Sequence, residues 1–288
     1  AGGGICGIRE PKGTGGVAVE RMEDRDIRSE IDEKLHAIEE KEHVRILYAV
    51  ESGSRAWGLA SPDSDYDVRF LYVRPMEEYL RLDSPRDVIE WQLDEVLDIN
   101  GWDLRKALVQ FQKGNATLFE WAGSPIVYRT SEAWQEIYRA ARPYFSVKRA
   151  VYHYYGTARN TYLQYLQGEM VRYKKYFYAL RPLLAARYIE EYREPAPVLF
   201  DALLKQELPA GLREAIRDVM AVKLVTDEKD EHPQNAWLQE FISRELERQE
   251  EAADRLPDDR LRDWSGLNAV FLKILGEERQ GGWSLKLQ

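Results

Sequence analysis

Apolar residues Ile31, Leu35 and Ile38 fall at i, i+4 and i+7, which predicts a helix over residues 26–42. The next stretch, residues 44–50, is rich in β-branched and large apolar side chains and reads as a strand. Residues 53–64 carry turn formers and read as a turn with a short helix. A second strand is predicted over 68–73, and further strand over 87–102. Asp103 stands directly before Leu104, Ala107, Leu108 and Phe111, the position of a cap opening a helix.

Past Pro125 the pattern changes. Helix formers and aromatics dominate, and strand signals fade. Helices are predicted from 131 to 276, with breaks near Pro143, Gly156, Pro195, Pro197, Pro209 and Pro257. The expected fold class is α+β: a small mixed sheet with flanking helices over residues 22–130, then a helical domain over 131–276. Residues 1–21, with seven glycines in the first sixteen and no periodicity, read as a disordered extension upstream of a natural start at Met22. Residues 277–288 read as a loose tail.

Composition narrows the function classes. The 288 residues hold 41 Lys+Arg against 50 Asp+Glu, a net charge of −9. That argues against a surface positive all over, as long-duplex binding would require, but leaves room for a local basic groove. The charge is uneven: residues 227–263 hold 13 acids and 6 Lys/Arg, whereas residues 148–193 hold 9 Lys/Arg, 3 acids and 10 tyrosines. Cys6 is the single cysteine, so an intrachain disulfide is impossible and a thiolate zinc site is disfavoured. No apolar run is long enough to span a membrane and no signal peptide is evident, so a cytoplasmic protein is expected. No pattern encodes the oligomeric state.

The chemistry concentrates between residues 53 and 103. Gly53 and Ser54 directly follow a strand. A glycine there lets the backbone approach a ligand closely, and the serine adds a hydroxyl donor, as a phosphate cradle requires. Ten residues later stand Asp65 and Asp67. Residues two apart on a strand share a face, and two carboxylates so placed repel unless a cation lies between them. Mg²⁺ suits such a pair, because it takes one or two carboxylates and fills its shell with phosphates and water. A third acid is expected from a neighbouring strand. Asp98, flanked by Leu97 and Ile99, is the first choice, because an acid in an apolar strand is costly unless paired or metal-bound. Asp103 is the second, with helix capping as its competing role. Arg69 shares the face of Asp67 and is placed to meet a phosphate or the carboxylates. Lys174 and Arg181 are seven apart on one helical face with Lys175 beside them, a grip for triphosphate or acceptor. Aromatics interleaved with cations also suit unstacked bases. His36, His43, His153 and His232 show no metal spacing, and Trp91, Trp102 and Trp121 read as core.

The ordered set of Gly-Ser, Asp-x-Asp and a later strand Asp resembles the nucleotidyltransferase superfamily of DNA polymerase beta. A narrower resemblance extends over residues 44–190. Residues 98–108 (DINGWDLRKAL), 120–128 (EWAGSPIVY) and 174–183 (KKYFYALRPL) are similar to the RNA repair pathway polymerase-beta family, the RlaP-like nucleotidyltransferases. The resemblance implies a minimal nucleotidyltransferase fold, dependence on Mg²⁺ or Mn²⁺, an NTP donor and an RNA acceptor. It assigns Asp65, Asp67 and Asp98 to metal binding and catalysis, and Gly53, Ser54, Arg69, Lys174, Lys175 and Arg181 to the nucleotide. A small-molecule or protein acceptor, or a binding module without catalysis, are the competing readings.

Overall fold

The computed structural model describes residues 16–61, 64–91, 96–227 and 229–280. Pro62 and Asp63 of the Asp-x-Asp loop, and most of the expected extension and tail, lie outside the described residues. The chain divides into two compact units, Ala1–His43 and Val44–Gln288.

Among its described residues, the first unit holds one helix, α1 (Gly16–Glu42). It opens ten residues before the predicted start, so residues 16–21 are helical rather than part of a disordered extension. Ala18, Glu20, Met22 and Glu23 are good helix formers and carry the turn pattern backwards.

The second unit begins with β1 (Arg45–Ser52), the single turn α2 (Gly53–Ala56), β2 (Tyr66–Val73), the turn α3 (Met76–Tyr79), β3 (Val88–Trp91) and β4 (Leu97–Asp103). Then come α4 (Leu104–Gln112), α5 (Ala116–Ala122), β5 (Val127–Arg129) and α6 (Glu132–Ala141). The remainder is α7 (Val147–Tyr165), β6 (Met170–Val171), α8 (Lys174–Tyr192), α9 (Phe200–Leu203), α10 (Leu212–Lys223), β7 (His232–Pro233), α11 (Ala236–Arg255) and α12 (Ser265–Gln280).

The five-stranded sheet runs β3-β4-β2-β1-β5. β2 and β4 are parallel and the other neighbours antiparallel. The further strand expected over 87–102 is two antiparallel neighbours, β3 and β4. β5 was not expected past Pro125, because three residues are too few to display a period-two pattern. α7 runs unbroken through Gly156, where added side-chain bulk would meet open space. Pro143, Pro195, Pro197, Pro209 and Pro257 all fall outside the α-helices.

Two apolar cores form. One joins Leu47, Val50, Leu71 and Val73 of the sheet to α4, α5, α6 and α12. The other joins α7, α8, α10 and α11, and takes in Leu59 from the loop after α2. α12 thus returns from the end of the chain to the sheet layer. Residues 277–280 belong to that helix rather than to a loose tail, and the buried Glu278 is ion-paired with Arg45.

Gly101 and Phe70 are register partners on β4 and β2, and the Phe70 ring lies over the bare Cα. A Cβ at 101 would fall onto that ring. Gly101→Ala is expected to cost about 2 kcal/mol through overpacking. A thermal melt should show the midpoint lowered by roughly 4–8 °C.

Candidate active site

The parallel pairing of β2 and β4 brings Asp67 and Asp98 into register as nearest cross-strand partners. Arg69, two residues along β2, reaches back between them. Its Nη2 donates to Asp67 Oδ1 at 3.1 Å and to Asp98 Oδ2 at 2.7 Å. Nη1 donates to the Asp98 carbonyl at 3.0 Å. One guanidinium therefore holds both carboxylates as a pair. Asp65 is exposed at the entry to β2, close enough for its charge to act on Asp67. Burial first, then the negative charges of Asp98 and Asp65, push the Asp67 carboxyl above its ordinary value, and Arg69 opposes them.

Gly53 sits on the other flank of Asp67. Ser52 is the register partner of Asp67, so the chain turns directly beside that carboxylate. Gly53 has φ +63°, and a Cβ there would land on the Asp67 carboxyl group. Both facts demand glycine. Ser54 follows in α2, and its carbonyl accepts the Leu59 N–H at 2.9 Å, closing the loop on itself.

Asp103 lies at the opposite end of β4, paired in register with Tyr72. Its side chain accepts the Arg105 N–H at 2.8 Å, capping α4, and the Tyr79 hydroxyl at 2.8 Å. Of the two candidates for third acid, Asp98 is the one beside Asp67.

Glu51 belongs to the site but was not singled out in the sequence. It is 1% exposed, accepts the Asp67 N–H at 2.8 Å through Oε1, and takes the Tyr128 hydroxyl through Oε2 at 2.5 Å. Burial raises its pKa, while the bonds from Tyr128 and from the Asp67 backbone oppose the shift. The argument that selects Asp98, an acid at an apolar strand position, applies equally to Glu51 after Ala49 and Val50. Arg55 was likewise missed. It donates to the carbonyls of Ser64 and Asp65 and lies 3.6 Å from the centre of the Tyr66 ring, shaping the strand entry.

The three α8 cations expected to meet the nucleotide divide. Lys174 and Lys175 are half-buried in its first turn, with Lys175 Nζ 3.9 Å from the centre of the Tyr165 ring. Arg181 is not an exposed cation: it is 2% exposed. It donates to Glu120 Oε2 at 2.9 Å and to the Val198 carbonyl at 3.2 Å, with its guanidinium 4.5 Å from the centre of the Trp57 ring. Glu120 also accepts Trp57 Nε1 at 3.0 Å and the Tyr154 hydroxyl at 2.7 Å. The Trp57 carbonyl accepts the Phe200 N–H, and Lys223 Nζ donates to the Leu59 carbonyl and Ser61 hydroxyl. The loop from Gly53 to Ser61 is thereby fastened to the helices, and Arg181 acts on it through Trp57.

Burial penalises the Glu120 charge, but the Arg181 charge and three hydrogen bonds outweigh it and hold its pKa below the ordinary value. Glu120→Gln leaves Arg181 buried without a counter-charge, at an expected cost of about 3 kcal/mol. Because the folded pKa lies below the unfolded value of about 4.3, the contribution is complete above that pH and lost as pH falls through the folded value. Melts of both proteins across pH should show a wide gap at pH 7 that closes below about pH 4.

Among the described residues, no three acids, histidines or cysteines form a ready-made metal cage. Two oxygens do lie where a cation is shared: Asp67 Oδ1 and Asp98 Oδ2 both bind Arg69 Nη2. A pair of carboxylate donors fits a hard divalent ion that completes its shell with phosphate and water.

A family model, that of the RNA repair pathway DNA polymerase beta family (RlaP), matches residues 27–273. The chain belongs to the RlaP family. It is accordingly a nucleotidyltransferase of the polymerase-beta type, and its α+β architecture agrees with that placement. YcgL of Bacillus subtilis (strain 168), itself uncharacterized, is 40% identical over 260 residues, spanning 90% of this chain and 100% of that relative. A crystal structure of a nucleotidyltransferase-like protein from Exiguobacterium sibiricum 255-15 is similar at 14% identity over 81% of this chain and 74% of its own. The TM-score of that match is 0.24. No helix among the described residues of this RlaP-family chain is long and apolar enough to cross a membrane.

Proposed function

We propose that this RlaP-family protein transfers a nucleoside monophosphate from an NTP to the 3′ hydroxyl of an RNA, in RNA repair or processing in the cytoplasm. The acceptor oxygen bonds to the α-phosphorus, the α–β bridging P–O bond breaks and pyrophosphate leaves. The observation that carries the reading is the meeting of Asp67, Asp98 and Gly53: two carboxylates on adjacent strands, with a backbone that approaches closely because it bears no side chain.

Asp65, Asp67 and Asp98 would hold Mg²⁺ or Mn²⁺. The ion would neutralise phosphate charge and favour the ionised hydroxyl. Gly53 lets the triphosphate lie against the loop, and the Ser54 hydroxyl donates to it. Arg69 holds Asp67 and Asp98 together. Asp98 receives the proton of the attacking hydroxyl. Lys174 and Lys175 supply positive charge for the triphosphate or the acceptor, and Arg181 positions the loop through Trp57.

The test uses purified full-length chain, Mg²⁺, α-labelled NTPs and RNA oligomers ending in either a free 3′ hydroxyl or a 3′ phosphate. Lengthening of the hydroxyl-ended RNA alone is expected. Label on a small molecule or on protein, with both RNAs unchanged, would transfer the chemistry to a different acceptor and contradict the RNA reading.

A further inference from the structure

The overall charge is −9, yet one cleft of the molecule is positive. It encloses about 490 Å³ between α4 and the segment before β3, and its walls include Arg86, Arg105, Lys106 and Lys113. Two acids also line it, against the four cations. Asp87 takes Lys106 Nζ at 3.0 Å, and Asp103 caps α4 and receives the Tyr79 hydroxyl. Arg86, Arg105 and Lys113 are exposed. Lys106 lies in α4 and Lys113, seven positions on, is its C-cap residue, so the two fall on the same side of the helix.

On the other flank of α4 lies a smaller hollow of about 220 Å³, lined by Arg105, Leu108, Val109, Trp264 and Phe271 among others. Arg105 and Val109 belong to both. The Arg105 guanidinium stands 4.9 Å from the Tyr79 ring centre and 5.8 Å from that of Phe271, between the two hollows. Trp264 is 41% exposed, a large flat apolar face left in solvent at the entrance to α12. Cations on one side of a helix and an open indole on the other match the two parts of a single strand, phosphates and unstacked bases. A duplex has its bases stacked inside and offers Trp264 nothing to cover.

We infer that α4 and the start of α12 form a binding surface for single-stranded RNA, in which Arg86, Lys106 and Lys113 meet phosphates and Trp264 stacks on a base. The inference rests on the RNA reading above and extends it, placing the upstream part of the acceptor. α4 begins where β4 ends, and Asp103 is five residues beyond Asp98, about 17 Å along the strand. A strand whose 3′ end lies at Asp98 therefore has its preceding nucleotides in reach of α4.

The test is fluorescence anisotropy of the full chain with a labelled single-stranded RNA 3′-hydroxyl oligomer, titrated at several NaCl concentrations. Each phosphate contact contributes about −0.7 to the slope of log K against log salt for a single strand. The double variant Lys106→Gln, Lys113→Gln should bind at least tenfold more weakly at low salt, with the slope reduced by about 1.4. Trp264→Ala should lose about tenfold with the slope unchanged. Circular dichroism on both variants confirms that the fold is retained. If wild type binds and both variants bind like it, the α4 surface is not the grip and the inference fails while the RNA reading stands. Equal affinity for a duplex of the same length overturns the stacking role of Trp264. If wild type binds no RNA under any salt condition, the RNA reading itself fails.

Discussion

Asp67→Asn is expected to lower the rate of nucleotidyl transfer by about 10³-fold or more, because it removes a charged ligand from the point where cation and phosphate meet. The same change should raise the melting temperature at neutral pH. Asp67 is raised above its ordinary pKa by burial and by Asp98 and Asp65, so its ionised form is disfavoured in the folded chain even with Arg69 present. A folded pKa above the unfolded value of about 3.9 means a cost that is complete above the folded pKa and disappears below the unfolded one. The stability advantage of the variant should therefore shrink as pH is lowered towards 4. Steady-state kinetics and melts across pH check both halves. A variant that is inactive and also less stable at pH 7 would contradict the electrostatic account of the carboxylate pair.

Gly53→Ala is expected to be inactive for a different reason. At φ +63° a side chain is strained, and the new Cβ would displace the Asp67 carboxyl group. The backbone strain alone costs about 1–2 kcal/mol. The displaced carboxylate adds a loss of transfer of about 10²-fold or more, since a misplacement of about 1 Å has that effect. Unlike Asp67→Asn, this variant should melt lower than wild type. The opposite signs separate removal of a charge from distortion of the loop, and near-normal activity in Gly53→Ala would show that Gly53 and Asp67 do not share a site.

The catalytic half of the fold was legible because its signals are local. The strand at 45–52, the glycine after it, the Asp-x-Asp at the entry to β2 and the cap at Asp103 are each short-range statements about backbone preference. The preference for Asp98 over Asp103 came from its apolar neighbours, and the parallel register with β2 is what sets it beside Asp67. The burial of Arg181 was not legible for a related reason. Spacing places it on a face with Lys174, but the partner that buries it, Glu120, stands 61 residues earlier and leaves no local mark. Glu51 carries the same local mark as Asp98, an acid after apolar strand residues, but its partners Tyr128 and the Asp67 N–H are set by the tertiary fold. β5 and the return of α12 to the sheet are tertiary facts: the first is too short for a pattern, and the second depends on which core an amphipathic helix finds.

The most direct measurement of the central claim is Mn²⁺ binding by electron paramagnetic resonance, with a non-hydrolysable NTP analogue present, in wild type and in Asp98→Asn. If Asp67 and Asp98 together hold a divalent ion against the triphosphate, wild type binds Mn²⁺ in the presence of the analogue and Asp98→Asn binds it at least about 100-fold more weakly. Equal Mn²⁺ affinity in the two proteins would show that the carboxylates joined by Arg69 are an ion-pair cluster of the sheet and not the centre of the reaction.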